Sequence, residues 1–138
     1  MMTYSEVREK FFNHLLRRPC TRKQSEEYLA RLNLDERVFE ALMNEADETG
    51  LIDDEGYAKL FADGHTNWGN AKISYELGAR GVSRDNIKTA LQEIDDECAR
   101  AAEISDGWRK SGIDERKIKS RLMSRGFTEK AVRSVMSM

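Results

Sequence analysis

Side chains able to do chemistry are few in this chain, and they are scattered. Asp53 and Asp54 stand side by side in the stretch GLIDDEGYAKLFADG, Gly50 to Gly64. Adjacent carboxylates suit metal ligation or an acid/base pair, and they equally suit the start of a helix, where one caps and the other meets the positive dipole end. No third acid or histidine follows at helical spacing, which makes a poor metal site. His14 falls on a helical pattern with Phe11 and Leu15, and His65 in a polar turn. Neither has a cysteine, aspartate or second histidine placed to form a catalytic pair. Cys20 and Cys98 lie far apart without companions at zinc-ligand spacing, so both are expected as free thiols in a reducing cytoplasm. Gly78 and Gly81 sit at a helix end and no Gly-Lys-Ser/Thr occurs, so a phosphate loop is not indicated. The expectation is a protein with no catalytic residues, no metal and no cofactor.

The elements that would position any site come from a repeat. AKISYELGARGVSRDNIKTAL (Ala71–Leu91) and RKIKSRLMSRGFTEKAVRSVM (Arg116–Met136) align at a constant shift of 45 residues. Ile73 and Leu77 fall on Ile118 and Leu122, Arg80-Gly81 on Arg125-Gly126, and Ile87 on Val132. A weaker copy lies 48 residues upstream of the first, with Leu29, Asn33, Leu34, Asp35, Phe39 and Met43 in the matching places. What recurs is a joint between two helices. Apolar residues spaced by four end at a glycine or asparagine that tolerates left-handed backbone. An apolar residue follows, and then Ser83, Thr128 or Asp35 caps the next helix.

Each copy also has a helix in front of it. These are Ser5 to Arg18, capped by Thr3 with Glu6 and stopped by Pro19; the Asp53–Gly64 stretch, with Tyr57, Leu60 and Phe61 on one face; and Asp95 to Lys110. The fold class expected is all-α: three tandem three-helix repeats over 1–49, 50–94 and 95–138, forming an elongated curved array. A content of 39% apolar and 35% charged residues fits one modest domain with a large surface. No apolar run approaches the roughly 18 residues of a membrane span, and the N-terminus lacks a signal-peptide core.

Charge is distributed unevenly. Residues 1–34 hold seven Lys/Arg against four acids, residues 35–105 seven against seventeen, and residues 106–138 nine against four. Basic ends flank an acidic middle, as in a binding protein with distinct surfaces. Arg17, Arg18, Arg22 and Lys23 cluster around Pro19. Arg116, Lys117, Lys119, Arg121 and Arg125 share one helix, on which Lys117, Arg121 and Arg125 form a stripe. Lys72 and Arg80 occupy the equivalents of Lys117 and Arg125. Trp68, beside Gly69 in a turn, is the aromatic residue expected to be partly exposed and open to a partner. Ordinary solvated helix faces are the competing explanation for the basic positions.

Three segments resemble the RecX family, bacterial regulators of the RecA recombinase: GLIDDEGYAKLFADG, WGNAKISYELGARGVSRDNIKTAL and CTRKQSEEYLARLNLDERVFEALMNEADETG. The NWG before Lys72 and the EIDDE after the second repeat resemble one branch of it, and the likeness runs from about Tyr4 to Met136. The resemblance implies a non-enzymatic, cytoplasmic, monomeric protein acting in recombination, DNA repair and the SOS response. Its partner would be the RecA filament, in whose groove it would lie and damp ATPase, strand exchange and coprotease activity, with weak, non-specific contact to single-stranded or duplex DNA. Many relatives carry several Arg/Lys between the first two helices of the middle repeat, whereas FADGHTNWGNAKI here has only Lys72. That departure moves the expected DNA contact toward the basic ends. The alternative is a helix-turn-helix DNA binder acting without RecA, since Gly81–Val82–Ser83 and Gly126–Phe127–Thr128 resemble the turns of such modules.

Overall fold

The computed structural model describes residues 2–136, which form nine helices and no strand. They are α1 (Tyr4–Arg17), α2 (Arg22–Ala30), α3 (Glu36–Glu48), α4 (Asp54–Asp63), α5 (Asn70–Ala79), α6 (Arg84–Glu93), α7 (Glu97–Lys110), α8 (Glu115–Ser124) and α9 (Glu129–Met136). Local rules account for most boundaries. Thr3, Thr21, Asp35, Asp53, Ser83, Asp96 and Asp114 each accept a first-turn amide of the helix they precede. Thr21 and Gln24 form a full capping box. At the α2–α3, α5–α6 and α8–α9 joints, Asn33, Gly81 and Gly126 take positive φ values of 52°, 87° and 82°.

The repeated apolar positions are the buried ones. Three separate clusters form around Phe11, Leu29 and Leu42; around Ile73, Leu77 and Ile87; and around Ile118, Leu122 and Val132. Leu51 and Ile52 join the first cluster. Leu60 departs from expectation, being 72% exposed. Ala58 and Ala62 take the buried face of α4 instead, because α6 packs too closely there for a larger side chain. Leu16 is likewise turned to solvent. The accessible surface is 8981 Å², against roughly 7,400 Å² expected for a compact monomer of this mass. The excess is that of an elongated body with three small cores in a row.

Each unit is fastened to the next by the same device. Between the second and third units, Gly69 N donates to Arg125 O (2.8 Å) and Ala71 N to Gly126 O (3.1 Å). The backbones approach so closely that a Cβ on Gly69 would overlap Phe127, and one on Gly126 would lie 2.6 Å from Lys72 N. Without a side chain Gly69 cannot cap α5. Glu97 does so from α7, accepting Asn70 N at 2.7 Å, and the same carboxylate accepts Thr128 N (3.1 Å) and its hydroxyl (2.5 Å). Arg100, 5% exposed, donates to the carbonyls of Asp95 (2.8 Å), Thr66 (3.2 Å) and Trp68, and to Asn70 Oδ1. Its guanidinium pKa is pushed down by burial, opposed by the charges of Glu97, Asp96 and Asp95.

Between the first and second units the Thr21 hydroxyl donates to Arg80 O (2.6 Å), and Lys23 lies against Gly81 while its Nζ reaches Ala79 O (3.3 Å). Here Asp54 takes the part of Glu97, accepting Arg22 N at 2.8 Å. The adjacent aspartates are thereby divided between two helices. Asp53 caps its own (Gly56 N, 3.0 Å) and Asp54 caps α2 across the joint.

Two stability measurements follow. Gly126→Ala and Gly112→Ala both impose positive φ on alanine, but only Gly126 is crowded by a neighbour. Gly112→Ala should cost about 1–2 kcal/mol. Gly126→Ala should cost clearly more in the same urea titration; equal losses would show that the close approach is dispensable. Arg100→Met keeps the stem but strands buried carbonyls, and should cost about 3 kcal/mol or more, while an exposed control, Arg84→Met, should change stability by under about 0.5 kcal/mol.

Candidate functional site

The site to weigh is a set of basic side chains, and the structure sorts them by what they touch. Lys23 is engaged in the first joint, and Arg22 pairs with Asp47. Arg17 and Arg18 are exposed at the end of α1 and enter no ion pair among the described residues. The cluster around Pro19 is thus split between solvent and joint. Lys72 is half-buried against Gly126, with its Nζ 4.2 Å from the centre of the Trp68 ring. Trp68 itself packs edge-on to Phe61 (5.9 Å) and beside His65 (4.2 Å), so much of its surface is already covered.

Arg80 and Arg125, the repeated pair, do one job twice. Arg80 lies over Phe61 of α4 at 4.8 Å and pairs with Glu76 at 2.9 Å; Arg125 lies over Trp108 of α7 at 5.2 Å. In the second and third units an arginine closing the second helix stacks on an aromatic side chain of the first. Arg121 joins Arg125 over Trp108 at 5.4 Å, so two members of the expected stripe meet on one ring.

The rest of α8 is open. Ile118 and Leu122 face the core, while Arg116, Lys117 and Lys119 are exposed and enter no ion pair among the described residues. Together with Arg121 they make a cationic face held rigidly by the packing of α7, α8 and α9. Such a face can neutralise phosphates or an acidic protein surface, with contacts that weaken as salt rises.

Three features escaped sequence reasoning. Trp108 carries the two arginines. Arg100 could have been suspected, since a cation in the first turn of α7 opposes the helix dipole and something else must hold it there. Cys20 lies 3.7 Å from His14 Nε2, where no cysteine–histidine neighbourhood was expected. The pair lacks the marks of a nucleophile: burial pushes the Cys20 thiol up, against the charge of Arg18, and His14 is stacked on Tyr28 at 4.0 Å. Among the described residues no group of three or more His, Cys, Asp or Glu could hold a metal, and no helix is long and apolar enough to cross a membrane.

Comparison with known proteins agrees with this architecture. Residues 53–91 match the family model described as RecX, second three-helix domain. The regulatory protein RecX of Thermobifida fusca is 32% identical over 94 residues, covering 66% of this chain and 51% of that protein. Those of Pectobacterium atrosepticum and Pseudomonas fluorescens are 27% and 29% identical, with 94% and 98% of this chain aligned to 84% and 92% of theirs. The chain thus spans about half the length of the first relative and most of the other two. The crystal structure of RecX from Lactobacillus salivarius superposes with a TM-score of 0.82 over 97% of this chain and 94% of that one, at 21% identity, a likeness of fold. With its three-helix units, its matched middle unit and relatives aligned along nearly its full length, the chain belongs to the RecX family.

Proposed function

We propose that this protein regulates the RecA recombinase. It binds as a monomer in the groove of the RecA–DNA filament and damps ATP hydrolysis, strand exchange and coprotease activity, with no chemistry of its own. The partner is suggested by family membership. The observation that carries the mode of action is the exposed cationic face of α8 on a long body whose units are fastened by hydrogen bonds at both joints. A rod of this kind can span several subunits of a helical filament without giving way at its joints. Contact with DNA is secondary and sequence-tolerant, since the acidic middle repels phosphate while the basic ends attract it.

Arg116, Lys117 and Lys119 contribute charge without engaging another side chain, so reversing them tests the surface with little structural cost. Arg116→Glu/Lys117→Glu/Lys119→Glu should melt like the parent. It should inhibit the ATPase of RecA on single-stranded DNA at least several-fold less well, with a shallower salt dependence, because rim charges govern encounter and screening. A folded variant that inhibits as well as the parent removes α8 from the contact surface. Tight binding of the parent to one duplex sequence without RecA would favour the helix-turn-helix alternative.

A further inference from the structure

Every unit has a groove between its second and third helices, built from equivalent positions. In the first unit it is narrow, about 320 Å³, and edged by Arg22, Glu26 and Glu40. In the third it is about 450 Å³, with Lys119 and Met123 on one wall and Phe127 and Val132 opposite. In the second it opens to about 970 Å³. The cause lies in two residues. Ser74 and Gly78 stand where the third unit has Lys119 and Met123, so the α5 wall is cut back above a floor in which Val82 and Ile87 are buried while Leu91 and Ile94 are partly exposed.

Gly78 has no role in the fold. Its φ is not positive, and a Cβ built on it would meet nothing within 4 Å. A glycine inside a helix costs about 1 kcal/mol relative to alanine, and here no turn or close approach within the chain requires it. Beside it Tyr75 is 74% exposed, an aromatic side chain at the groove's rim. The groove is also polar end to end. Arg84 and Lys88 line it where α5 ends, exposed and in no ion pair among the described residues, while Asp96 and Glu97 line it where α5 begins.

We infer that the α5–α6 groove is a docking site for one amphipathic helix of a protein partner. Small residues on one wall let a helix axis approach closely, and the span from Asn70 to Gly78 matches about two turns. The charge polarity sets direction. A helix carries partial negative charge and unpaired carbonyls at its C-terminus, which belongs over Arg84 and Lys88, and partial positive charge at its N-terminus, which belongs beside Asp96. The bound helix therefore runs parallel to α5, with acids in its last turn and an apolar stripe on Tyr75, Leu91 and Ile94. This rests on the reading above that the partner is RecA, and makes the helix one presented by a filament subunit.

The test copies the third unit's side chains into the second. Ser74→Lys/Gly78→Met fills the groove with residues that the fold accommodates 45 positions on. It should melt no lower than the parent and bind RecA filaments on single-stranded DNA at least tenfold more weakly in co-sedimentation. Arg84→Glu/Lys88→Glu, exposed on α6, gives an independent reading and should also weaken binding. Undiminished binding by the groove-filled or the charge-reversed variant overturns the docking site while leaving the RecA reading intact. A parent chain that does not co-sediment with the filament overturns the RecA reading and the inference with it. Concentration-dependent dimerisation of the parent, lost on filling the groove, would assign the groove to a second copy of this chain and overturn the proposal.

Discussion

The structure depends on how closely two backbones meet at Gly69 and Gly126. A start of α5 pressed onto the α8–α9 joint leaves no room for a Cβ on either side, and so removes the side chain that would otherwise cap α5. The missing cap is replaced by Glu97 from the next unit, whose carboxylate also serves the start of α9. Two helix starts thereby share one anion, and opening the joint would leave the start of α5 without its cap. Arg100 stands behind it, saturating carbonyls of the α4–α5 turn that would otherwise be buried without donors. Three cores of this size would be marginal as independent domains. Fastened in this way, each draws on its neighbour.

How far this could be read in advance depended on whether the controlling physics was local. Capping and left-handed joints involve neighbours within a few residues, so Asn33, Gly81 and Gly126, with Asp35, Ser83 and Thr128 after them, were legible from one sequence. The buried stripe of α5 and α8 was legible for the same reason. Leu60 was misplaced because a tyrosine–leucine–phenylalanine pattern suggests one face, while the closeness of α6 reserves that face for Ala58 and Ala62. The joints were not legible, since Glu97 and Asn70 lie 27 positions apart and only the docked backbones show why a carboxylate is needed. Yet NWG and EIDDE, which carry part of the family resemblance, are the two segments from which the second joint is built. The family likeness there records a packing constraint.

The same distinction governs the charges. Recurrence of a cation at equivalent positions suggested a binding surface, but Arg80 and Arg125 recur because each closes its unit by stacking on an aromatic side chain. Lys23 and Lys72 lie against the glycines of the following joint. Of the repeated cations, only Lys117 is left wholly to solvent. Arg116 and Lys119, whose equivalents in the middle unit are Ala71 and Ser74, leave their charge to solvent. In a repeat protein, whether a charge is engaged by the packing is therefore a better guide to function than whether it recurs.

The middle unit carries that argument further. Its ends are fixed by two joints, so its second helix has its start covered by the third unit and its closing joint by the first. On the flank between α5 and α6 the side chains of the α5 wall shrink to Ser74 and Gly78. A helix interior that accepts glycine without steric cause gives up stability, in the one unit that both neighbours reinforce. The joints make that loss tolerable: a unit anchored at both ends can carry a helix weakened along its free side. The terminal units, each fastened at one joint among the described residues, have bulkier walls at the equivalent groove. Stability supplied at the joints and space opened between them are consequences of the same stacking.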